Sequence, residues 1–412
     1  MNTIKPIIFL ILSLSLSLSA VDYTQKAEVR QFISNMHTKF NYNQSYLTEL
    51  FKHVRKNPKI FRKKSKPRIV KPLSVEHRPQ GKWDIYARMH LEHNQSKMGA
   101  SFMNKHRATL EKAYEEYGVP PEYITAIIGI ESYYGKNRGR YYVFDSLSHL
   151  AFNGNRRQKF FRHELQEFLR MCYRESVNPQ AIKGSQSGAI GMAQFMPSNY
   201  KHFGVDFNND GKIRISKPDD AIGSIANYFK KNGWKKDEPI GIRVSYKGNR
   251  FYGLKTGYKH RYNRRDLANI APKEHFDYKK KVMLIKLEKE KYDELWYGAH
   301  NFYVITRYNH SDYYAMAVHQ LAQQIKTTYL AEYVQPKEEK IYLAKNTKSE
   351  ISSMKEIEEM VKREVNKDTD EYQHKTEELE GMELSSLESR CIVTPQSCYQ
   401  TNWYESHTLA PL

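Results

Sequence analysis

The segment Ile124-Thr125-Ala126-Ile127-Ile128-Gly129-Ile130 presents almost no polar face, and it runs straight into a carboxyl group, Glu131. A helix built from such a run has to be wrapped by other elements rather than laid on a surface. Pro120-Pro121 sits where such a helix starts, since proline suits the first helical turn. Ser132-Tyr133-Tyr134-Gly135 follows, so the carboxyl stands at the end of a buried helix, against aromatic rings. Burial disfavours the charged form and raises the pKa. A carboxylic acid that keeps its proton near neutral pH can act as a general acid. The plainer alternative is an ordinary Glu whose head reaches solvent.

The chain has 412 residues, enough for one large domain or two or three smaller ones around a sizeable core. Hydrophobic residues make up 40% and charged residues 27%. With 31 tyrosines, so polar a chain suits a sugar-binding cleft, because aromatic rings stack on pyranose faces; the alternative is that the tyrosines decorate packed helices. At the N-terminus, Lys5, the apolar stretch Ile7 to Leu18 and the small pair Ser19-Ala20 form a secretory signal with a cut after Ala20. The stretch is short for a membrane span, and no cysteine lies near the cut, which argues against a lipoprotein anchor. The expected location is the periplasm. The formal charge of +20 suits an acidic polymer such as peptidoglycan, whose stem peptides carry carboxylates. Export and the lack of a recognition motif argue against nucleic acid. Of the three cysteines, Cys391 and Cys398 flank a short loop and could pair in an oxidising compartment, whereas Cys172 lies in a helical pattern and reads as a small buried residue.

Hydrophobic periodicity makes the chain mainly α with a small β region, an α+β class. Helices are expected over 21 to about 55, from Trp83 to about Gly118, from Pro121 to Glu131, over 145 to 176, over 219 to 234, and from about Ser311 to Glu332. Residues 56 to 82, rich in Lys, Arg and Pro, read as an extended connection. The alternation Ile240-Gly241-Ile242-Arg243-Val244-Ser245-Tyr246, with a turn at Lys247-Gly248-Asn249, predicts a small sheet within 238 to 272. Phe302 to Asn309 reads as an apolar, strand-like run before Arg, Tyr and Asn. From Lys337 to Arg390 there are 15 acidic and 10 basic residues, so 336 to 412 reads as a charged, partly helical or disordered tail, available to cell-wall protein partners.

A second chemical signal is Asp206-Phe207-Asn208-Asn209-Asp210-Gly211-Lys212. Oxygen-bearing side chains at positions 1, 3 and 5 and Gly at 6 match the start of an EF-hand loop, with the Lys212 carbonyl next in turn. Position 12 is Lys217 rather than Glu, and Asp219 or Asp220 could close a longer loop. Calcium is favoured over a metal-free Asx turn.

Taken in order, Tyr117-Gly118-Val119-Pro120-Pro121-Glu122, Ile127 to Glu131, Gly191 to Tyr200 with Gln194-Phe195-Met196-Pro197-Ser198, Asp206 to Gly211, Asp220 to Phe229, and Ile305 to Asn309 with Tyr314 to Val318 resemble the lytic murein transglycosylases of the membrane-bound lytic transglycosylase B type. The blocks span roughly residues 28 to 330. The resemblance implies a lysozyme-like helical core with α and small β subdomains around a glycan groove, in a transglycosylase domain covering 21–335. Within it, 21–118 would form a helical N-terminal part, 119–235 the catalytic core with the calcium loop, 236–300 the β region and 301–335 the closing helices, all in a monomer. It also implies cleavage of the β-1,4 bond between N-acetylmuramic acid and N-acetylglucosamine without water, the 6-hydroxyl of the muramic acid closing a 1,6-anhydro ring.

Glu131 stands where that family has its catalytic Glu, and would act first as acid, then as base. Tyr86, Arg156, Arg157, Ser185, Gln194, Tyr228, Tyr308, Asn309 and Tyr314 match its substrate positions, the arginine pair being suited to peptide or lactyl carboxylates. Asp206, Asn208, Asp210, Lys212 and Asp220 match its calcium loop, including the longer spacing. Two positions depart from the pattern: Phe160 stands where some relatives have a cleft Tyr, and Met192 replaces an aromatic residue near Gln194. Two rival readings are a hydrolytic muramidase, with Asp145 or Glu164 assisting a water, and a non-catalytic peptidoglycan-binding scaffold.

Overall fold

The structure, a computed structural model, describes residues 20–56, 80–91, 93–154, 156–248 and 250–334. The proposed signal segment up to Ser19, most of the basic connection, the acidic tail and the Cys391–Cys398 loop lie outside the described residues.

The apolar run becomes helix α6 (Pro121–Ser132), and every residue from Glu122 to Ile130 is buried. With no polar face to leave outside, it is enclosed by α4 (His93–Lys105), α5 (Arg107–Tyr117), α10 (Pro218–Lys231) and α12 (Asp312–Tyr329). Gly129 permits that enclosure, because a Cβ there would stand 2.7 Å from the Tyr134 hydroxyl. That hydroxyl donates to the Gln95 carbonyl at 2.7 Å, tying α4 to the end of α6.

Upstream lie α1 (Ala27–Phe40), α2 (Gln44–Lys52) and α3 (Lys82–His90), and a two-stranded pair, β1 (Ala20–Val21) with β2 (Val54–Arg55), closes the first two helices into a unit. A second short pair, β3 (Tyr141–Tyr142) and β4 (Lys183–Gly184), brackets α7 (Val143–Phe152) and α8 (Gln158–Arg174). Helix α8 is amphipathic and buries Phe161, Leu165, Phe168, Leu169 and Cys172, the cysteine as expected. Helix α9 (Pro197–Phe203) is capped from outside its own sequence: the Glu164 carboxylate accepts the Ser198 N–H at 2.9 Å and its hydroxyl at 2.7 Å.

The small sheet forms, but it is larger than the alternation suggested. Strands β5 (Gly241–Tyr246), β6 (Ile270–Pro272), β7 (Met283–Glu288) and β8 (Asp293–Gly298) pair antiparallel in the order β6-β5-β8-β7. The β7–β8 hairpin runs in register from Met283↔Gly298 to Glu288↔Asp293. Its residues close a second apolar core with Val244, Phe251, Leu267, Leu284, Leu295 and Tyr297.

One sequence expectation fails. The run from Phe302 is not a strand but helix α11 (His300–Tyr308), which precedes α12. Asn301, Phe302, Val304, Ile305 and Thr306 are all buried, and packing on both sides outweighs the β preference of Val and Ile. The Asn301 side chain fixes the helix start by accepting the Lys235 N–H and donating to the Lys235 and Glu238 carbonyls. Among the described residues no helix is long and apolar enough to cross a membrane.

Candidate functional site

Helix α6 stops one residue past Glu131 because Tyr133, Tyr134 and Gly135 all take left-handed backbone conformations, at φ 49°, 58° and 82°. The Tyr133 and Tyr134 N–H groups fold back onto the Gly129 and Ile128 carbonyls at 2.9 and 3.3 Å, the usual way a helix end satisfies its last acceptors. Glu131 is therefore held on the last turn of a rigid helix and is half-buried. Burial pushes its pKa up to about 7, against the opposing pull of a hydrogen bond from Tyr314. The Tyr314 hydroxyl donates to Oε1 at 2.6 Å.

Four of the sequence-predicted tyrosines gather here. Tyr308 stacks on Tyr314 with ring centroids 6.4 Å apart and planes 11° from parallel, and Tyr228 meets Tyr308 at 4.9 Å. Tyr86, stacked at 6.2 Å on Trp83, lies close enough to Glu131 for the carboxylate to raise its pKa, after burial, the larger cause. Their hydroxyls are anchored: Tyr308 donates to the Ala193 carbonyl at 2.6 Å and Tyr228 to the Arg307 carbonyl. Sequence reasoning missed Tyr313, whose ring meets Trp83 at 5.5 Å and Tyr86 at 5.8 Å. Its position directly before Tyr314 was the available signal.

The other candidates sit differently. Gln194, with φ 48°, donates to the Gly191 carbonyl at 2.8 Å and the Arg138 carbonyl at 3.3 Å, so its amide holds the turn after β4 to the segment after α6. Ser185 is buried and its hydroxyl accepts the Ala189 N–H at 2.9 Å. Asn309 ends α11. Arg156 is exposed just before α8, and the Arg157 guanidinium lies 4.2 Å from the Phe160 ring centroid, so Phe160 offers a π-face where a Tyr would offer a hydroxyl. Met192 is buried, its methyl against Gly135.

The carboxyls of the hydrolytic rival are committed elsewhere. Asp145 accepts the Arg55 N–H at 3.1 Å and pairs with its guanidinium at 3.3 Å, while Glu164 caps α9. Neither is among the influences on Glu131.

In the Asp206 loop, Asp206 accepts the Asp210 and Gly211 N–H groups at 3.1 and 2.7 Å. Asp220, fully buried at the start of α10, accepts Phe207 N–H at 2.9 Å and Arg214 N–H at 2.6 Å. Burial first, and then the charges of Asp206 and Asp210, raise the Asp220 pKa. Three carboxylates, one of them buried, with the Asn208 amide oxygen and Lys212 carbonyl in the same loop, are an all-oxygen donor set of the kind a hard cation takes. In its present geometry the loop closes on its own N–H groups and on Arg214, which pairs with Asp210, and among the described residues no His, Cys, Asp or Glu group of three or more is drawn together tightly enough to chelate.

The family model described as the transglycosylase SLT domain matches residues 24–323. The chain belongs to this family. It is 37% identical over 309 residues to the Escherichia coli membrane-bound lytic murein transglycosylase B, a match spanning 74% of this chain and 84% of that protein. The Escherichia coli lytic transglycosylase SLT35 in complex with calcium superposes with a TM-score of 0.69 at 35% identity, covering 76% of this chain and 97% of that one. SltB3 from Pseudomonas aeruginosa in complex with NAG-anhNAM-pentapeptide gives 0.62 at 25% identity, over 73% and 79%. The protein is thus a lytic transglycosylase with a lysozyme-like helical fold.

In this transglycosylase, replacing Tyr314 with Phe removes the one influence that holds the Glu131 pKa down. The acid form then persists to higher pH. The alkaline limb of the pH–rate profile is expected to shift upward, with a lower maximum because a charge-assisted hydrogen bond worth roughly 2 kcal/mol is lost. A limb that stays put, or moves downward, counts against this placement of Tyr314.

Proposed function

We propose that the protein is a periplasmic peptidoglycan lyase that cuts the β-1,4 bond between N-acetylmuramic acid and N-acetylglucosamine and leaves a 1,6-anhydromuramic end. The observation that carries this is a single proton-retaining carboxyl, Glu131, partnered by a hydroxyl and not by a second carboxylate. Typical glycosidases need two carboxyls, one as acid and one as nucleophile or water-activating base. With one, the economical sequence is intramolecular. Neutral Glu131 gives its proton to the glycosidic oxygen as that bond breaks. The resulting carboxylate takes the proton from the muramic 6-hydroxyl as its oxygen bonds to the anomeric carbon, and Glu131 ends protonated again. Tyr314 steadies the carboxylate between the two steps.

Tyr86, Tyr228 and Tyr308 form the aromatic walls against which pyranose rings stack, with Asn309, Ser185 and Gln194 supplying or shaping polar contacts. Arg156 and Arg157 at the start of α8 suit lactyl or peptide carboxylates. Asp206, Asn208, Asp210, Asp220 and the Lys212 carbonyl would hold a calcium ion, whose charge gathers the loop and takes no part in bond cleavage. Residues 21–335 form the transglycosylase unit and work as a monomer, and 336–412 serve as a tail for cell-wall partners. The test is mass analysis of muropeptides released from sacculi. Products lighter than the hydrolytic ones by one water, with no reducing ends, are expected; reducing ends would overturn the reading.

A further inference from the structure

Beside Tyr228 and Tyr308 the structure collects cations, and two of them, Arg261 and Arg307, rest on an aromatic ring rather than on a carboxylate. The loop after β5 brings Lys259 and Arg261 against the end of α11, where Arg307 and His310 stand. The Arg261 and Arg307 guanidinium groups both lie on the Tyr303 ring, at 5.0 and 5.3 Å from its centroid, and the Lys259 ammonium lies 5.8 Å from the centre of Tyr258. The Tyr258 and Tyr303 rings are themselves neighbours at 6.4 Å. Arg307 also donates to the Tyr303 hydroxyl at 3.3 Å and stands against His310 Nε2.

Several arginines elsewhere pair with carboxylates: Arg170 with Glu167 at 3.0 Å, Arg174 with Glu175 at 3.0 Å and Arg243 with Glu294 at 2.8 Å. Among the described residues, Arg261 and Arg307 make no ion pair with a carboxylate. Burial raises the pKa of the nearby acid, Asp312, and the charges of His260 and Lys259 pull it back, so this one carboxylate is shared. It accepts the Tyr258 N–H at 2.8 Å and packs against Gly257, so it pins the loop to the start of α12 and holds the cations in place. Gathering like charges on a fixed platform without a carboxylate for each is unfavourable for folding alone. Such an arrangement is productive when an anion completes it.

The position narrows what that anion is. Tyr228 donates its hydroxyl to the Arg307 carbonyl, and Tyr308 follows Arg307 directly in the chain. An anion at the cluster is therefore carried by whatever molecule occupies the groove. We propose that Lys259, Arg261 and Arg307 bind the carboxylates of the stem peptide attached to the glycan in the groove, on the opposite chain segment from Arg156 and Arg157. This rests on the peptidoglycan reading above. Arginine suits the task because its fork of donors meets a carboxylate bidentately while its plane stays on the Tyr303 ring.

The experiment uses the full chain and two substrates, glycan strands bearing stem peptides and the same strands stripped of them by an amidase. Lys259 and Arg261 are exposed, so the double variant Lys259→Gln/Arg261→Gln keeps the fold. Its KM for stem-bearing strands is expected to rise about tenfold, with kcat unchanged and both constants unchanged on stripped strands. The charge-conserving Lys259→Arg/Arg261→Lys variant is expected to recover most of the loss. Equal losses on both substrates, or no loss on either, would overturn the proposal. Wild-type protein that releases no anhydro-ended product from stripped strands would overturn the function beneath it, a separate failure.

Discussion

Glu131→Gln is expected to lower glycan cleavage by about three orders of magnitude, because one group supplies both the acid and the base step and each is worth roughly 10²–10⁴-fold. The amide keeps the shape and can still meet the Tyr314 hydroxyl, so the loss is chemical rather than structural. The same substitution is expected to stabilise the fold, but only in one pH range. Burial raises the Glu131 pKa from 4.5 to about 7. The folded chain therefore holds a proton that the unfolded chain has already released between those two values, and stability falls as pH climbs through that window. Above about pH 7 the full cost is present, on the order of 2 kcal/mol at 1.4 kcal/mol per unit after allowing for the solvent-facing edge. Glutamine has no ionisation to oppose. Melting temperatures of variant and wild type should coincide near pH 4 and separate above pH 7, the variant being higher. An inactive variant with no pH-dependent gain would show that Glu131 does not retain its proton near neutrality.

What could be read from the residues follows how local the cause is. The α6 run announces burial because seven consecutive positions leave no polar face, and the structure encloses it. The Asp206 loop announces itself because its donors sit at fixed short spacings. Phe302 to Tyr308 misleads because Val and Ile favour strands locally, whereas the decision belongs to α12 and the Asn301 bridge to Lys235, which are distant in sequence or need the fold in place. Glu164 reads as a free carboxyl in sequence and turns out to be the cap of a helix 34 residues downstream. Gln194 and Ser185 read as groove residues, yet each bonds to the backbone of its own turn. The two arginines gathered on Tyr303 could not be seen at all from sequence, because two segments more than forty residues apart supply them.

Asp220 is where the loop and the groove become one mechanical problem. Its carboxylate is fully buried and holds two backbone N–H groups, one from each leg of the loop. Asp220→Ala leaves the buried Phe207 N–H and the part-buried Arg214 N–H without their acceptor, and a loss of about 2–4 kcal/mol is expected, at about 1–3 kcal/mol for the buried group and less for the one nearer solvent. Calcium separates this structural part from the cation's part. In chelated wild-type protein Asp206 and Asp210 repel Asp220, and the pair of Arg214 with Asp210 compensates only weakly because both side chains are exposed to solvent. A cation replaces that compensation directly, so calcium at a hundredfold over its Kd is expected to stabilise the wild type by about 2.7 kcal/mol. Asp220→Ala should lose most of that response as well as its own hydrogen bonds. An unchanged melting temperature of chelated wild type on adding calcium would overturn the cation site while leaving the hydrogen-bond prediction standing. The loop also backs the groove, since the Ile215 carbonyl accepts the Met192 N–H at 2.8 Å and Arg138 donates to the Ser216 carbonyl at 3.2 Å. Met192 precedes Ala193, whose carbonyl holds the Tyr308 hydroxyl. Loosening the loop should therefore release Tyr308 before the helices melt, and glycan binding by Asp220→Ala should weaken at temperatures where its far-ultraviolet circular dichroism is still that of the folded chain.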